Sequence, residues 1–315
     1  MNKIPVGISA CVLGQNVRFD TGHKRSQFVC QELTDLMTFT PVCPEMGAGM
    51  PAPRPTIRLI RDEERMRLMG SRDKTLEVTE QVTQFSKEKI AQLHHLCGYI
   101  LCAKSPTCGM ERVPVYSLNS EGGDKSGTGL YAAELMKQMP WLPVEEDGRL
   151  NDPILRENFI ARVFALHHFY ECMEGGLTVE KFISFHSKYK LMLMATAPDQ
   201  YKSLGRDIAA LNDADLESFF LYYRQSFMDL MKQRSNKKTH ANTLFHIQGY
   251  FKKFLSKQEK QELSQLIHDY RQGFVPLLAP LTLLSHYLQK YPNDYLSKQV
   301  YLRPHPLELK LRYGL

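Results

Sequence analysis

The stretch Gly98-Tyr-Ile-Leu-Cys-Ala-Lys-Ser-Pro-Thr-Cys108 restricts the fold more than any other part of the chain. Its apolar start reads as a buried parallel strand. Pro106 cannot donate to a ladder, and Ser105 before it is steered away from helix, so the strand has to stop there. Cys108 therefore falls just past a strand's carboxyl end. Two earlier segments repeat the arrangement: Ile4 to Ala10 delivers Cys11, and Phe39 to Val42 delivers Cys43, Pro44 and Glu45. Ligands of open α/β sheets bind beyond the carboxyl ends of the strands, so three cysteines placed this way can converge on one point.

A length of 315 residues suits two domains, each able to bury a core. The expected organisation is an α/β unit over 1–172, with a Rossmann-like open parallel sheet, then an all-α helical unit over 178–315, divided at Gly175-Gly176. Within the first, Gln27 to Leu36 has helical spacing, and Ile57 to Met69 reads as a hairpin around the acidic turn Asp62-Glu63-Glu64. Thr75 or Thr79 caps a helix running to about His95, and Val113 to Leu118 is a further strand. The loop Asn119 to Gly129 opens into the helix Leu130 to Met139, where it can cradle an anion, act as a lid or simply be mobile. A last short strand and turn lie within Pro140 to Gly148. Leu155 to Tyr170 is an amphipathic helix expected to pack on the first domain. From Thr178 onward the pattern is helical: Val179 to Met194, Asp199 to Ala210, Asp213 to Arg234, Asn242 to Phe254, Lys257 to Gln272 and Pro276 to Lys290.

With 43% hydrophobic and 23% charged residues the composition is that of a globular chain, which argues against disorder. The start enters a strand pattern without a secretory signal, and the longest apolar run, Phe274 to Leu284, is too short to span a bilayer. A cytoplasmic protein without membrane association is expected. Seven cysteines form an odd, irregular set with no C-x-x-C pair. This disfavours a disulfide framework, a zinc ribbon or a thioredoxin-like site, and leaves metal binding or catalysis beside the plain alternative of small buried hydrophobes.

Charge is distributed unevenly. Residues 1–150 hold 18 Lys and Arg against 18 Asp and Glu, and residues 151–315 hold 22 against 16. The stretch Arg224 to Lys260 includes Lys232, Arg234, Lys237, Lys238, Lys252 and Lys253, opposed only by Asp229 and Glu259. A polyanion is the fitting partner, and solvated helix faces are the alternative. In the first half, Glu45 reads either as a loop acid paired with Arg54 or, two residues after a candidate ligand, as a general acid/base. Arg18, Asp20, His23 and Arg54 are candidates for substrate binding, although polar loops also hold themselves together by Asx turns and salt bridges.

Five motifs occur in a fixed order: Ser9-Ala-Cys11-Val-Leu-Gly14, Val17-Arg-Phe-Asp20 with Gly22-His-Lys24, Val42-Cys-Pro-Glu45, Pro53-Arg54 with Ile57-Arg-Leu59, and Lys104-Ser-Pro-Thr-Cys-Gly109. Together they resemble the thiouracil desulfidase (TudS) family over roughly residues 1–170. The remainder, with Phe185-His-Ser-Lys-Tyr-Lys190 and Leu204-Gly205, is similar to the YbgA-type helical domain, and the combination resembles RudS-type tRNA 4-thiouridine desulfidases. The resemblance implies a 4Fe-4S cluster held by Cys11, Cys43 and Cys108, with Glu45 and Ser105 as the catalytic pair. Three protein ligands would leave one iron open to a soft thiocarbonyl sulfur, for non-redox Lewis-acid chemistry in which Glu45 moves the proton and Ser105 positions water or base. The implied partner is thiolated tRNA; free thiolated bases, a non-catalytic iron-sulfur sensor and a zinc protein are the alternatives. Cys102 is the departure, because a fourth ligand would close the open position.

Overall fold

A computed structural model describes residues 3–63, 65–118, 122–212, 215–309 and 311. The chain divides into two compact units, Met1–Leu155 and Arg156–Leu315.

The first unit is built on β1 (Ile4–Ser9), β2 (Met37–Val42), α1 (Pro44–Gly47), β3 (Ile57–Asp62), β4 (Arg65–Gly70), α2 (Thr79–Ile90), β5 (Gly98–Leu101), β6 (Val113–Ser117), β7 (Asp124–Gly127), α3 (Leu130–Gln138) and β8 (Val144–Glu146). Its main sheet is parallel throughout, in the order β2-β1-β5-β8. The apolar runs of β1 and β5 are there because both faces of the sheet are covered: Val6, Ile8, Tyr99, Ile100 and Leu101 are fully buried. Tyr131 of α3 donates its buried hydroxyl to that of Tyr99 at 3.0 Å. The chain runs from β1 outward to β2 and later returns to the other side of β1 as β5. This reversal of strand order opens a crevice at the carboxyl ends of β1 and β5.

A second, mixed sheet has the order β4-β3-β6-β7 and its own core of Leu59, Leu68, Val82, Val113 and Val115. The expected hairpin forms as β3 and β4, with Glu64 of its turn outside the described residues. The strand at 113–117 joins this sheet, parallel to β3. Part of the expected Gly-rich loop is strand: β7 pairs with β6 through Val113↔Gly127 and Val115↔Asp124, while 119–121 lie outside the described residues. Asp124-Lys-Ser-Gly127 has no apolar residue, so its strand conformation comes from the partner and not from its own pattern.

Other local differences have simple causes. Pro44 at the first helical position starts the short α1 within a stretch whose prolines argue against regular structure. Val29–Leu33 is a π-helical turn within the expected helix. Thr79 opens α2 without capping it, because its Oγ1 accepts from Leu68 N at 2.9 Å on β4, and α2 ends at Ile90, short of His95.

The second unit is helical: α4 (Pro153–Met173), α5 (Val179–Thr196), α6 (Tyr201–Ala209), α7 (Leu216–Lys232), α8 (Lys237–Tyr250), α9 (Lys257–Gln272), α10 (Leu278–Lys290) and α11 (Asp294–Ser297). Phe169 on α4 lies 5.1 Å from both Phe185 and Phe220, and Phe185 lies 5.0 Å from Phe227, so α4 shares an aromatic core with α5 and α7. The compact unit thus begins at Arg156, ahead of Gly175-Gly176, where both glycines take positive φ (76° and 113°) in the turn between α4 and α5. The expected start of α7 at Asp213 lies outside the described residues. α8 starts five residues before the expected Asn242, because Asn236 and Thr239 form a capping box: Asn236 Oδ1 accepts from Lys238 N and Thr239 N at 2.9 and 3.0 Å. Among the described residues no helix is long and apolar enough to cross a membrane.

Candidate active site

Three parallel strands end beside one another, and each is followed within two residues by a cysteine. Ser9 is in register with Val42, so Cys11 and Cys43 leave β1 and β2 side by side, while β5 gives Cys102 directly and Cys108 after a turn. Cys11, Cys43, Cys102 and Cys108 all line one cavity of about 290 Å³. Burial pushes the Cys43 and Cys108 thiols up from their ordinary values, and contact with the Cys11 thiol, followed by burial, does the same for Cys102. A metal taken up here has to displace protons. Among the described residues no three His, Cys, Asp or Glu side chains are gathered as a single ion needs. Four thiols lining one cavity are a soft, all-sulfur donor set of the kind that holds iron-sulfur clusters.

Glu45 lies two residues past Cys43, on α1, and its carboxylate is gripped from both sides. Arg54 donates from Nε to Oε2 at 2.7 Å, with Nη2 2.6 Å from the same oxygen. The Arg54 side chain is only 3% exposed, and its other donors go to Val17 O (2.8 Å) and Pro51 O (3.1 Å). On the other side, Thr107 Oγ1 donates to Glu45 Oε1 at 2.9 Å. Ser105 Oγ accepts from Thr107 N (3.3 Å) and Cys108 N (3.1 Å) and lies 3.0 Å from Thr107 Oγ1. Two backbone donors fill the acceptor positions of the Ser105 hydroxyl, so its one proton points to Thr107. The result is a one-way chain: Ser105 to Thr107 to Glu45.

Local sequence explains why the Cys108 loop holds this shape. Lys104 turns it with a φ of 64°, and Gly109 N closes it onto Ser105 O at 2.8 Å. The first N–H groups of α3 bind it from behind: Leu130 N donates to Pro106 O (3.2 Å) and Ala132 N to Thr107 O (3.1 Å). The α3 N-terminus, read from sequence as a possible anion cradle, is therefore occupied by backbone carbonyls. Asp147, just past β8, accepts from Ala103 N at 2.8 Å, and Ser9 Oγ accepts from Cys102 N at 3.0 Å.

The remaining candidates separate by position. Arg18 lines the cavity, with Nε 3.5 Å from Asp20 Oδ1. Asp20 and His23 lie outside the cavity lining and hold their own loop. Asp20 Oδ1 accepts from Gly22 N at 3.1 Å, which keeps its carboxyl below the usual range, and His23 Nδ1 accepts from Arg25 N at 3.2 Å. In the helical unit, Lys232, Arg234, Lys237, Lys238, Lys252 and Lys253 are all exposed. They form two groups, the first four near the start of α8 and the last two beyond its end, separated by the length of that helix, about 20 Å.

Residues 6–147 match the family described as 2-thiouracil desulfurase, and residues 190–306 match one described as a protein of unknown function, DUF1722. The uncharacterized protein YbgA of Escherichia coli (strain K12) is 37% identical over 159 residues, which cover 50% of this chain and 94% of that protein. The chain belongs to the YbgA family and carries a 2-thiouracil desulfurase domain as well. Among solved structures, the 4Fe-4S-dependent thiouracil desulfidase TudS is 25% identical, with 48% of this chain and 95% of that chain covered at a TM-score of 0.39.

Two cavity residues of the desulfurase domain were not singled out from sequence. Lys24 lines the cavity in place of its neighbour His23, with Nζ 3.4 Å from Ala103 O and 3.8 Å from Asp147 Oδ2. Thr107 is 1% exposed and joins the two expected catalytic side chains. The signal for Thr107 was its place inside Ser105-Pro-Thr-Cys108, where a buried hydroxyl beside a candidate ligand needs a partner.

Proposed function

We propose that the chain is an iron-sulfur-dependent desulfidase that removes sulfur from 4-thiouridine in tRNA, giving uridine and hydrosulfide. The observation that carries this reading is the joint presence of Cys11, Cys43, Cys108 and Glu45 around one cavity at the carboxyl ends of parallel strands. The reaction consumes one water: its oxygen becomes the uridine carbonyl, one of its protons leaves with the sulfur as hydrosulfide and the other is released, so no electrons are exchanged. Cys11, Cys43 and Cys108 would hold a 4Fe-4S cluster. When bound, it supplies a thiophilic Lewis acid with one iron lacking a protein ligand, suited to a soft thiocarbonyl sulfur.

The chain's own groups supply the proton handling. Glu45 Oε2 carries both Arg54 contacts, so its acceptor positions are filled, whereas among the described residues Oε1 carries only the Thr107 hydroxyl and keeps one position for water. Oε1 is thus the atom that takes the proton from water and returns it to the departing sulfur. Arg54 holds the carboxylate in place from behind, from a side chain that is itself almost fully buried. At the cavity rim Phe19 is 38% exposed, with the Arg18 guanidinium over its ring at 5.3 Å, an aromatic and cationic pair of the kind on which bases stack. The exposed lysines and arginine around α8 support a polyanionic substrate, with the helical unit supplying affinity. A base within folded tRNA would have to leave its stack to enter the cavity.

The test is anaerobic reconstitution with iron and sulfide, then addition of bulk bacterial tRNA while the near-ultraviolet absorbance of thiolated uridine is followed. Loss of that band with the native chain, and its retention with Cys43→Ala and with Glu45→Ala, is expected; a persistent band with the reconstituted native chain overturns the reading. A free 2-thiouracil-type base is the second reading, favoured by the description of the family that residues 6–147 match. Under it, Lys237→Glu combined with Lys252→Glu leaves turnover unchanged.

A further inference from the structure

Glu45 and Ser105, the catalytic pair that the resemblance implies, are joined in this structure through a third side chain. Thr107 Oγ1 is 2.9 Å from Glu45 Oε1 and 3.0 Å from Ser105 Oγ. The donor count fixes the direction of both bonds. Ser105 Oγ already accepts from the amides of Thr107 and Cys108, so it has only its proton to give, and Thr107 Oγ1 receives it. Thr107 in turn has one proton; of its two acceptors, Glu45 Oε1 at 2.9 Å and Cys108 Sγ at 3.7 Å, the charged and nearer oxygen takes it. That oxygen is the one with an acceptor position left open, so the Thr107 bond determines where the remaining lone pair points.

The rest of the loop is arranged so that Thr107 has little freedom. Its side chain is buried, its amide is held by Ser105, and its carbonyl accepts from Ala132 N at the start of α3. Behind it there is no room: a Cβ at Gly129 would lie 2.5 Å from the Thr107 carbonyl carbon and oxygen. A threonine held in this way can aim a carboxylate, because its own hydroxyl is aimed by neighbours that cannot shift.

We propose that Thr107 is the positioning residue of this site, setting the orientation of Glu45 Oε1 and transmitting to it the alignment of the Ser105 hydroxyl; this rests on Glu45 being the group that handles the proton. Thr107→Val keeps the shape and removes the hydroxyl, and Thr107→Ser keeps the hydroxyl. Both are compared with the native chain after anaerobic reconstitution, by kcat and KM on thiolated substrate and by cluster absorbance per chain. For Thr107→Val, kcat should fall about 10- to 100-fold with KM within about threefold, and Thr107→Ser should stay within about threefold of native in both. Cluster content should be unchanged in each.

Adding Thr107→Val to Glu45→Gln should cost nothing further, since the hydroxyl then has no base to orient. The inference is overturned if Thr107→Val keeps native kcat, if Val and Ser lose equally, if the loss is in KM, if the cluster fails to load, or if the two substitutions add. Glu45→Gln with native turnover sinks the proposed function itself. Glu45→Gln inactive beside a fully active Thr107→Val sinks only the role of Thr107.

Discussion

Arg54 carries more of the site than its single charge suggests. Its guanidinium joins Glu45 on α1 to the carbonyls of Val17 and Pro51, which lie in irregular segments. Arg54→Met leaves a nearly buried carboxylate and two carbonyls without donors, so the unfolding free energy should fall by about 3–5 kcal/mol, as seen by chemical denaturation of the cluster-free chain. The cysteines give a second test. If three of them hold the cluster, Cys11→Ser, Cys43→Ser and Cys108→Ser should each lower bound iron after reconstitution, while Cys102→Ser should keep the native content; iron analysis against protein concentration decides it. These cysteines were legible in the sequence because a strand and its end are local features, fixed by a few apolar residues and a proline. Thr107 was not, because its partner Glu45 is 62 residues away and only the folded sheet brings the two together.

At the level of elements, α3 acts through its first turn, which pins the Cys108 loop. Gly129→Ala should push the Thr107 backbone away and lower both turnover and cluster content, measured side by side, with the helices of the second unit unaffected in far-ultraviolet circular dichroism. In that second unit His186 on α5 faces Tyr223 on α7, with Nδ1 3.2 Å from the hydroxyl, and burial lowers its pKa to about 4. In the unfolded chain it titrates near 6.5, so the unfolded state binds more protons between these values. The neutral histidine thus contributes stability that is full above pH 6.5 and is lost as pH falls toward 4, up to about 3 kcal/mol. Thermal unfolding from pH 7.5 to 4 should show a smaller drop in Tm for His186→Gln than for the native chain. Helices such as α9 were readable to the residue from their periodicity, whereas β7 was hidden because pairing alone makes it a strand.

For the whole molecule, the division into a sheet-based and a helical unit follows from the change of apolar period along the sequence. The amphipathic period of α4 led to the expectation that it packs on the first domain, and could not name Phe185 and Phe220, the partners of its Phe169. The two units make different demands on solution conditions. Turnover of thiolated tRNA should fall steeply with added salt, while turnover of free 2-thiouracil by the same preparation should barely respond; parallel slopes would remove the case for tRNA. Lys252→Ala with Lys253→Ala should reduce the salt slope by about one to two. Because the cationic groups sit at opposite ends of α8, they act as a ruler: about 20 Å matches about six nucleotides along one strand, so shorter oligonucleotides can engage only one end and should show about one-third to two-thirds of the counterion release of longer ones.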